Sequence, residues 1–315
     1  MTEANATLSG MLAALEEHGS PPETRPEATT EALVERYPEL APVIVEQVEI
    51  PGPHGPVEAR VYSNPDVSSA SGFVWAHGGA WVAGNLDNPE AHWVALAIAA
   101  TGVPVLSVEY RKALNGVHFP VPSDDVLAAF LAAPALLGDP TNLHIGGASA
   151  GANLAAGVAK RLRDGAGPLP AGMVLAYGLF HPTLPDYSDE LREALLTDPQ
   201  VDVVWRAVVP GINLNFVGDE ALLDDPYAFP ANGDVAGMPP AYLINSECDS
   251  LRSSGEAFAR QLADASVDVV VETEPGTQHG HFDQPLQPHG ARSLERIVGW
   301  IERRETSPRS SLSAP

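Results

Sequence analysis

Short apolar runs recur along most of this chain, at residues 73–76, 103–108, 143–146, 173–177, 241–245 and 267–272. Between them, apolar positions return at helical spacing over 89–100, 123–136, 150–162 and 253–265, and a last helix is expected over 292–303. Strands and helices in alternation predict a mostly parallel sheet covered by helices on both faces, an α/β architecture. Ahead of this, 43–50 and 57–62 read as two strands around the turn-rich Pro51-Gly52-Pro53-His54-Gly55-Pro56, which predicts a hairpin.

Two stretches break the alternation. Residues 1–40 are polar and proline-dotted, with short amphipathic pieces over 8–15 and 30–37. About sixty residues separate the run ending near Tyr177 from the one starting at Ala241. A structureless loop of that length does not suit a compact domain, so residues 181–238 are expected to form a helical cap insertion. It would join the N-terminal cap helices of 1–40 over the carboxyl edge of the sheet. The core then comprises 41–180 and 239–304, and 305–315 is expected to be a disordered tail.

With 315 residues the chain suffices for one large α/β unit or two smaller domains. The 17 basic and 41 acidic residues give a net charge of -24, which opposes phosphate backbones and anionic bilayers. Neither nucleic acid nor a membrane is therefore expected as a partner. Cys248 is the single cysteine, so neither an intrachain disulfide nor a cysteine metal cluster can form. Residues 1–20 carry Glu3, Glu16 and Glu17 without a basic leader region, and no apolar stretch reaches bilayer-spanning length. A cytoplasmic protein is expected.

Candidate chemistry centres on Gly147-Ala148-Ser149-Ala150-Gly151, which fits G-x-S-x-G. In that motif a sharp turn between strand and helix lifts a serine hydroxyl clear of the sheet, and small neighbours let the backbone bend. The pattern is weak by itself, so its setting decides. The apolar run 143–146 precedes it, and Leu154, Val158 and Leu162 follow at helical spacing, which is the strand, turn and helix order required. Ser149 is thus a candidate nucleophile, and a serine hydroxyl needs a base, which in turn needs an orienting group. Asp249 follows the run 241–245, and His279 lies in Glu274-Pro275-Gly276-Thr277-Gln278-His279-Gly280 after the next run. Each has a plainer alternative. Asp249 is also a good cap for the helix ahead of it, Glu247 is close by, and His281 could be the base, although the flanking glycines favour His279.

Trp75-Ala76-His77-Gly78-Gly79-Ala80-Trp81 follows a strand directly. Successive N–H groups in such a glycine-rich segment form a nest for an anion, here the oxyanion of a tetrahedral acyl intermediate, and the N–H of Ala150 would be a further donor. The plainer alternative is a tight turn that needs glycine for its dihedrals. His279, His281 and Asp283 lack a well-spaced partner elsewhere, so no metal is expected, and Cys248 reads as a small buried residue at a strand end.

With His77-Gly78-Gly79-Ala80, the Ser149 motif, Asp249 and His279 in that order, the chain resembles the α/β-hydrolase esterases of the hormone-sensitive lipase family, from about residue 40 to residue 303. Glu109-Tyr110-Arg111, Phe119-Pro120, Asp124-Asp125, Asp249-Ser250-Leu251-Arg252 and His279-Gly280-His281-Phe282 resemble further motifs of that family. The resemblance implies an α/β-hydrolase fold with a helical cap, Ser149 as nucleophile, His279 as base and Asp249 as orienting acid. It also implies an oxyanion hole at Gly78, Gly79, Ala80 and Ala150, with Gly78 shaping the turn, and no cofactor. There are departures: Ala80 stands at a usual glycine, Ala148 at a usual acid, and Lys112-Ala113-Leu114-Asn115-Gly116 at the usual L-A-P-E segment. The expected function is a serine carboxylesterase acting on short to medium acyl esters, so the expected partner is a small-molecule ester, with a homodimer left open. The alternatives are a non-catalytic small-molecule receptor on the same fold, or a lactonase, amidase or acyltransferase using the same three residues.

Overall fold

The expected strands pair into one sheet, in which the computed structural model describes residues 3–18, 25–197 and 199–306. Its strands are β1 Ile44–Ile50, β2 Val57–Ser63, β3 Ser71–Ala76, β4 Val105–Glu109, β5 Asn142–Ala148, β6 Met173–Ala176, β7 Ala241–Cys248 and β8 Val269–Gln278. They lie in the order β1-β2-β4-β3-β5-β6-β7-β8. β1 and β2 form the expected hairpin, β2 runs antiparallel to β4, and every later pairing is parallel. This is the α/β-hydrolase architecture.

The central strands read as unbroken apolar runs because both of their faces are covered. Phe73, Trp75, Val174, Tyr242 and Ile244 turn to one face. There they meet Trp93, Leu96 and Ile98 of α3 (Pro89–Ala100) and Leu294, Ile297 and Trp300 of α9 (Pro288–Thr306). Val74, Leu106, Ile145, Leu175 and Leu243 turn to the other face. Their partners come from α4 (Val121–Leu136), α5 (Ala150–Arg161) and α8 (Arg252–Asp264), through residues such as Phe130, Leu154, Val158 and Phe258.

Outside the sheet layers, α1 (Glu3–His18) packs against α7 (Pro199–Val217), where Leu8 stands over Gly211. α7 and α6 (Asp189–Leu195) both belong to the 181–238 insertion. α2 (Thr30–Arg36) takes a different place: its Leu33, with Leu40, joins the face formed by α3 and α9. Among the described residues, no helix is long and apolar enough to cross a membrane. Residues 307–315, most of the expected tail, lie outside the described residues.

Strand register sets the working edge. Ala76 pairs with Gly147 and Ala148 with Ala176, so β3, β5 and β6 end level, and the segments after them open at one rim. That is the carboxyl edge, where ligands of open α/β sheets bind. Cys248 pairs with Gln278 beyond a register shift, which leaves the next residues of the two strands, Asp249 and His279, side by side.

Candidate active site

Ser149 sits between the end of β5 and the start of α5 with φ 52° and ψ -114°, a backbone that L residues rarely adopt. Two glycines make the turn sterically feasible. A Cβ on Gly151 would lie 2.1 Å from the carbonyl oxygen of Ala76, and one on Gly147 would lie 2.4 Å from the backbone of Gly151. The Ser149 N–H donates to Ala176 O at 2.8 Å, which ties the turn to β6.

The Ser149 hydroxyl is 2.9 Å from His279 Nε2, and His279 Nδ1 is 2.7 Å from Asp249 Oδ2. With its Nδ1 proton donated to the carboxylate, the imidazole presents Nε2 as an acceptor for the serine proton. Asp249 is fully buried, and its other oxygen accepts the Leu251 N–H at 2.9 Å. Its capping character and its contact with His279 therefore coexist. Burial would lower the His279 pKa, but the charge and hydrogen bond of Asp249, with the charge of Asp283 behind it, outweigh burial and hold it above the ordinary value of 6.5.

The neighbouring candidates are placed elsewhere. Ser246 and Ser293 occupy the two ring nitrogens of buried His281, at 2.9 and 3.2 Å, and burial pushes its pKa down to about 3. Glu247 accepts the Gly276 N–H at 2.7 Å. Cys248, expected to be buried, is only partly so, with its sulfur 3.5 Å from the Thr197 hydroxyl. It lies where β7 leaves the covered part of the sheet.

The loop after β3 turns through three successive positive φ values: 108° at Gly79, 52° at Ala80 and 61° at Trp81. The N–H groups of Val82 and Ala83 both return to Gly79 O. Gly78 spends its own N–H on Glu90 Oε1 at 2.5 Å, so it shapes the turn and does not donate toward Ser149. Among the described residues, no acceptor takes the N–H of Gly79, Ala80 or Ala150. Ala80, Ala150 and Ser149 share one narrow cleft of about 20 Å³, closed by Trp81, Leu179, Val209, Ile212 and Leu251. A wider hollow of about 440 Å³ lies between α3 and α9, lined by Tyr37, Leu40, Trp93 and Leu294 among others, and Ser149 is not part of it.

Beneath the loop, the Tyr110 hydroxyl donates to the carbonyl oxygens of His77 and Gly78, both at 3.0 Å. Lys112, at a position where the family resemblance departs, donates to His77 Nε2 at 3.1 Å, Glu109 Oε1 at 2.7 Å and Tyr110 O at 2.7 Å. Burial first, and then the Lys112 charge, lower the His77 pKa, which keeps that ring neutral and able to accept. Sequence reasoning missed Lys112 as a support, and it missed Glu90 and Tyr177. The available signal was Glu90 itself, the one charged residue of the apolar stretch 89–100. Among the described residues, no group of three His, Cys, Asp or Glu side chains is placed to hold a metal ion.

The arrangement can transfer a serine proton to an imidazole and place an anion on free backbone amides, which is acyl-transfer chemistry. A family model described as the α/β hydrolase fold matches residues 73–283. The carboxylesterase NlhH of Mycobacterium tuberculosis is 32% identical over 292 residues, which cover 90% of this chain and 85% of that protein. An ethyl acetate hydrolase of Pseudomonas putida is 32% identical over 233 residues, 70% of either chain. Among solved structures, an esterase of Pyrobaculum calidifontis superposes with a TM-score of 0.76 at 26% identity, covering 98% of this chain and 96% of its own.

Proposed function

We propose for this chain, which belongs to the α/β-hydrolase fold family, a serine carboxylesterase mechanism that runs through Ser149, His279 and Asp249. The chain is a carboxylic ester hydrolase, in line with relatives that match most of its length. The observation that carries the mechanism is the unbroken path from the Ser149 hydroxyl through His279 to buried Asp249, with contacts of 2.9 and 2.7 Å.

Ser149 attacks the ester carbonyl as its proton passes to His279 Nε2. The oxyanion is received by the N–H groups of Gly79, Ala80 and Ala150, each such donor contributing about 3 to 4 kcal/mol to the barrier reduction. His279 then protonates the departing alcohol, and a water activated by the same ring releases the acid. Asp249 keeps the Nδ1 proton in place and faces the imidazolium as it forms. The methyl group of Ala80 leaves its N–H available. No step draws on a cofactor.

The reading of short to medium acyl chains is supported by the close apolar walls that Trp81, Leu179, Val209, Ile212 and Leu251 set around Ser149. α1 and the 181–238 insertion form the cap, for Val209 and Ile212 of α7 line that cleft and Leu8 of α1 backs α7 at Gly211. The test is Ser149→Ala with p-nitrophenyl acetate and butyrate: hydrolysis should vanish while the thermal melt is unchanged. Retention of most of the activity would eliminate the mechanism.

A further inference from the structure

Glu90 is the one carboxylate on α3, and it is buried, 3% exposed, directly behind the loop that faces Ser149. Its Oε1 accepts the Gly78 N–H at 2.5 Å and its Oε2 is hydrogen-bonded to the Tyr177 hydroxyl at 3.0 Å. Its backbone is anchored as well: the N–H reaches Asp283 Oδ1 at 3.3 Å, and the carbonyl accepts the Trp75 indole N–H at 2.8 Å. Tyr177 in turn stands edge-on to His279, with ring centroids 5.2 Å apart. One carboxyl group thereby touches both the loop and the ring that backs the base.

We propose that Glu90 is a positioning residue for ester hydrolysis: by holding Gly78 it aims the N–H groups of Gly79 and Ala80 at Ser149, and by holding Tyr177 it steadies His279. The proposal rests on the reading of Ser149 as nucleophile. Two observations support it. The loop carries non-glycine residues at φ 52° and 61°, a conformation that persists only where the surroundings impose it. Tyr110 holds the carbonyls of His77 and Gly78, but the Gly78 N–H is held by Glu90, whose Oε1 fills the space a Cβ on Gly78 would need, 2.4 Å away.

The charge state follows from what surrounds the group. Asp283 faces it from the short turn after β8, His279 from the loop before that turn, and Tyr177 and Tyr110 from the segments after β6 and β4. Burial, and then the charge of Asp283, push the Glu90 carboxyl up to about 8. At neutral pH it is an uncharged acid that grips the loop without setting a negative charge behind the oxyanion. As pH rises through that value the group ionises and opposes the oxyanion. The His279 imidazolium gains less from this charge, because Asp249 already faces it at 2.7 Å.

The test compares Glu90→Gln, which keeps an acceptor oxygen but cannot ionise, with Glu90→Leu, which keeps neither. We expect Glu90→Leu to lose about 100-fold in kcat with KM within about twofold, and Glu90→Gln to stay within about fivefold of the parent at neutral pH. We also expect the parent to lose kcat above about pH 8 and Glu90→Gln not to. A Glu90→Leu variant with parental kcat, or a Glu90→Gln variant that keeps the parental alkaline fall, overturns the proposal; if Glu90→Leu does not fold, the alkaline limb of Glu90→Gln decides alone. Stoichiometric fluorophosphonate labelling of Ser149 in each variant tests the underlying reading separately: failure to label the parent overturns Ser149 as nucleophile and the proposal with it, whereas a parent that labels beside a Glu90→Leu variant with parental kcat overturns only the role of Glu90.

Discussion

The indole of Trp81 lies flat on the ring of Phe216, with centroids 4.2 Å apart and planes 10° from parallel. Trp81 comes from the loop after β3 and Phe216 from α7, so the contact joins that loop to residues 181–238. Phe119 and Phe229 meet Phe216 edge-on and complete an aromatic wall behind the cleft. Phe216→Ala should lose about 3 to 5 kcal/mol of stability, read by denaturant unfolding, because a fully buried ring leaves a cavity. That cavity lies behind Trp81, so preference among p-nitrophenyl esters should move toward longer acyl chains. An unchanged chain-length profile would mean that the wall does not limit the acyl group.

His279 must be neutral to accept the serine proton, so kcat/KM should fall as pH drops through its pKa. Burial works against the charged ring, but the charge and hydrogen bond of Asp249, and then the charge of Asp283, outweigh it, so this acid limb should lie above 6.5. Asp249→Asn removes the largest of the raising influences, so the limb should move to lower pH. The same variant should lose about 10,000-fold in kcat, because an amide facing Nδ1 favours the wrong tautomer. A pH-rate profile of both proteins reads the two effects together.

Gly151 has no room for a side chain. An added Cβ would meet the backbone carbonyls of Ala76 and His77 at 2.1 and 2.5 Å, and backbone on β3 cannot swing aside as a flexible side chain would. Gly151→Ala should therefore cost about 3 kcal/mol and remove activity, since the same shift would displace Ser149. A stable, fully active Gly151→Ala protein would show that the turn is softer than these distances imply.

Lys112 bridges His77 and Glu109 beneath the loop after β3, with its side chain 16% exposed. Lys112→Met would fill a similar volume but leave Glu109 Oε1 and His77 Nε2 without their donor. Removing one partner of a largely buried pair should cost about 3 kcal/mol, measured by denaturant unfolding, and kcat should fall with it as the loop loses support. Stability equal to that of the parent would show that water replaces the ammonium at no cost.

Much of the fold was legible because its signals are local. α3 begins at Pro89, which suits the first helical turn, and its apolar run ends at Ala100, as the spacing predicts. Several ends moved, and two in the core moved by four residues or more. β8 was expected over 267–272 but extends to Gln278, because Glu274 and Gln278 pair with Ser246 and Cys248 of β7 despite an unfavourable Pro275-Gly276. α9 was expected from 292 but starts at Pro288, where a proline followed by His289 and Gly290 hides the first turn.

At the candidate site, Ser149, Asp249 and His279 could be singled out in sequence, because a glycine-flanked turn and two strand-end residues leave local marks. The supports could not. Glu90 meets Tyr177 across 87 positions, and Lys112 meets His77 across 35.

By itself, then, the sequence determined which residue types stand at strand ends and which glycines allow the chain to bend, since periodicity and backbone freedom are properties of neighbours along the chain. Only the tertiary structure decided that Gly78 faces Glu90, that Ser246 and Ser293 occupy His281, and that Trp81 lies on Phe216. Those outcomes depend on strand register and on burial of polar groups, and a buried hydrogen-bonding atom takes whichever partner the fold brings within reach.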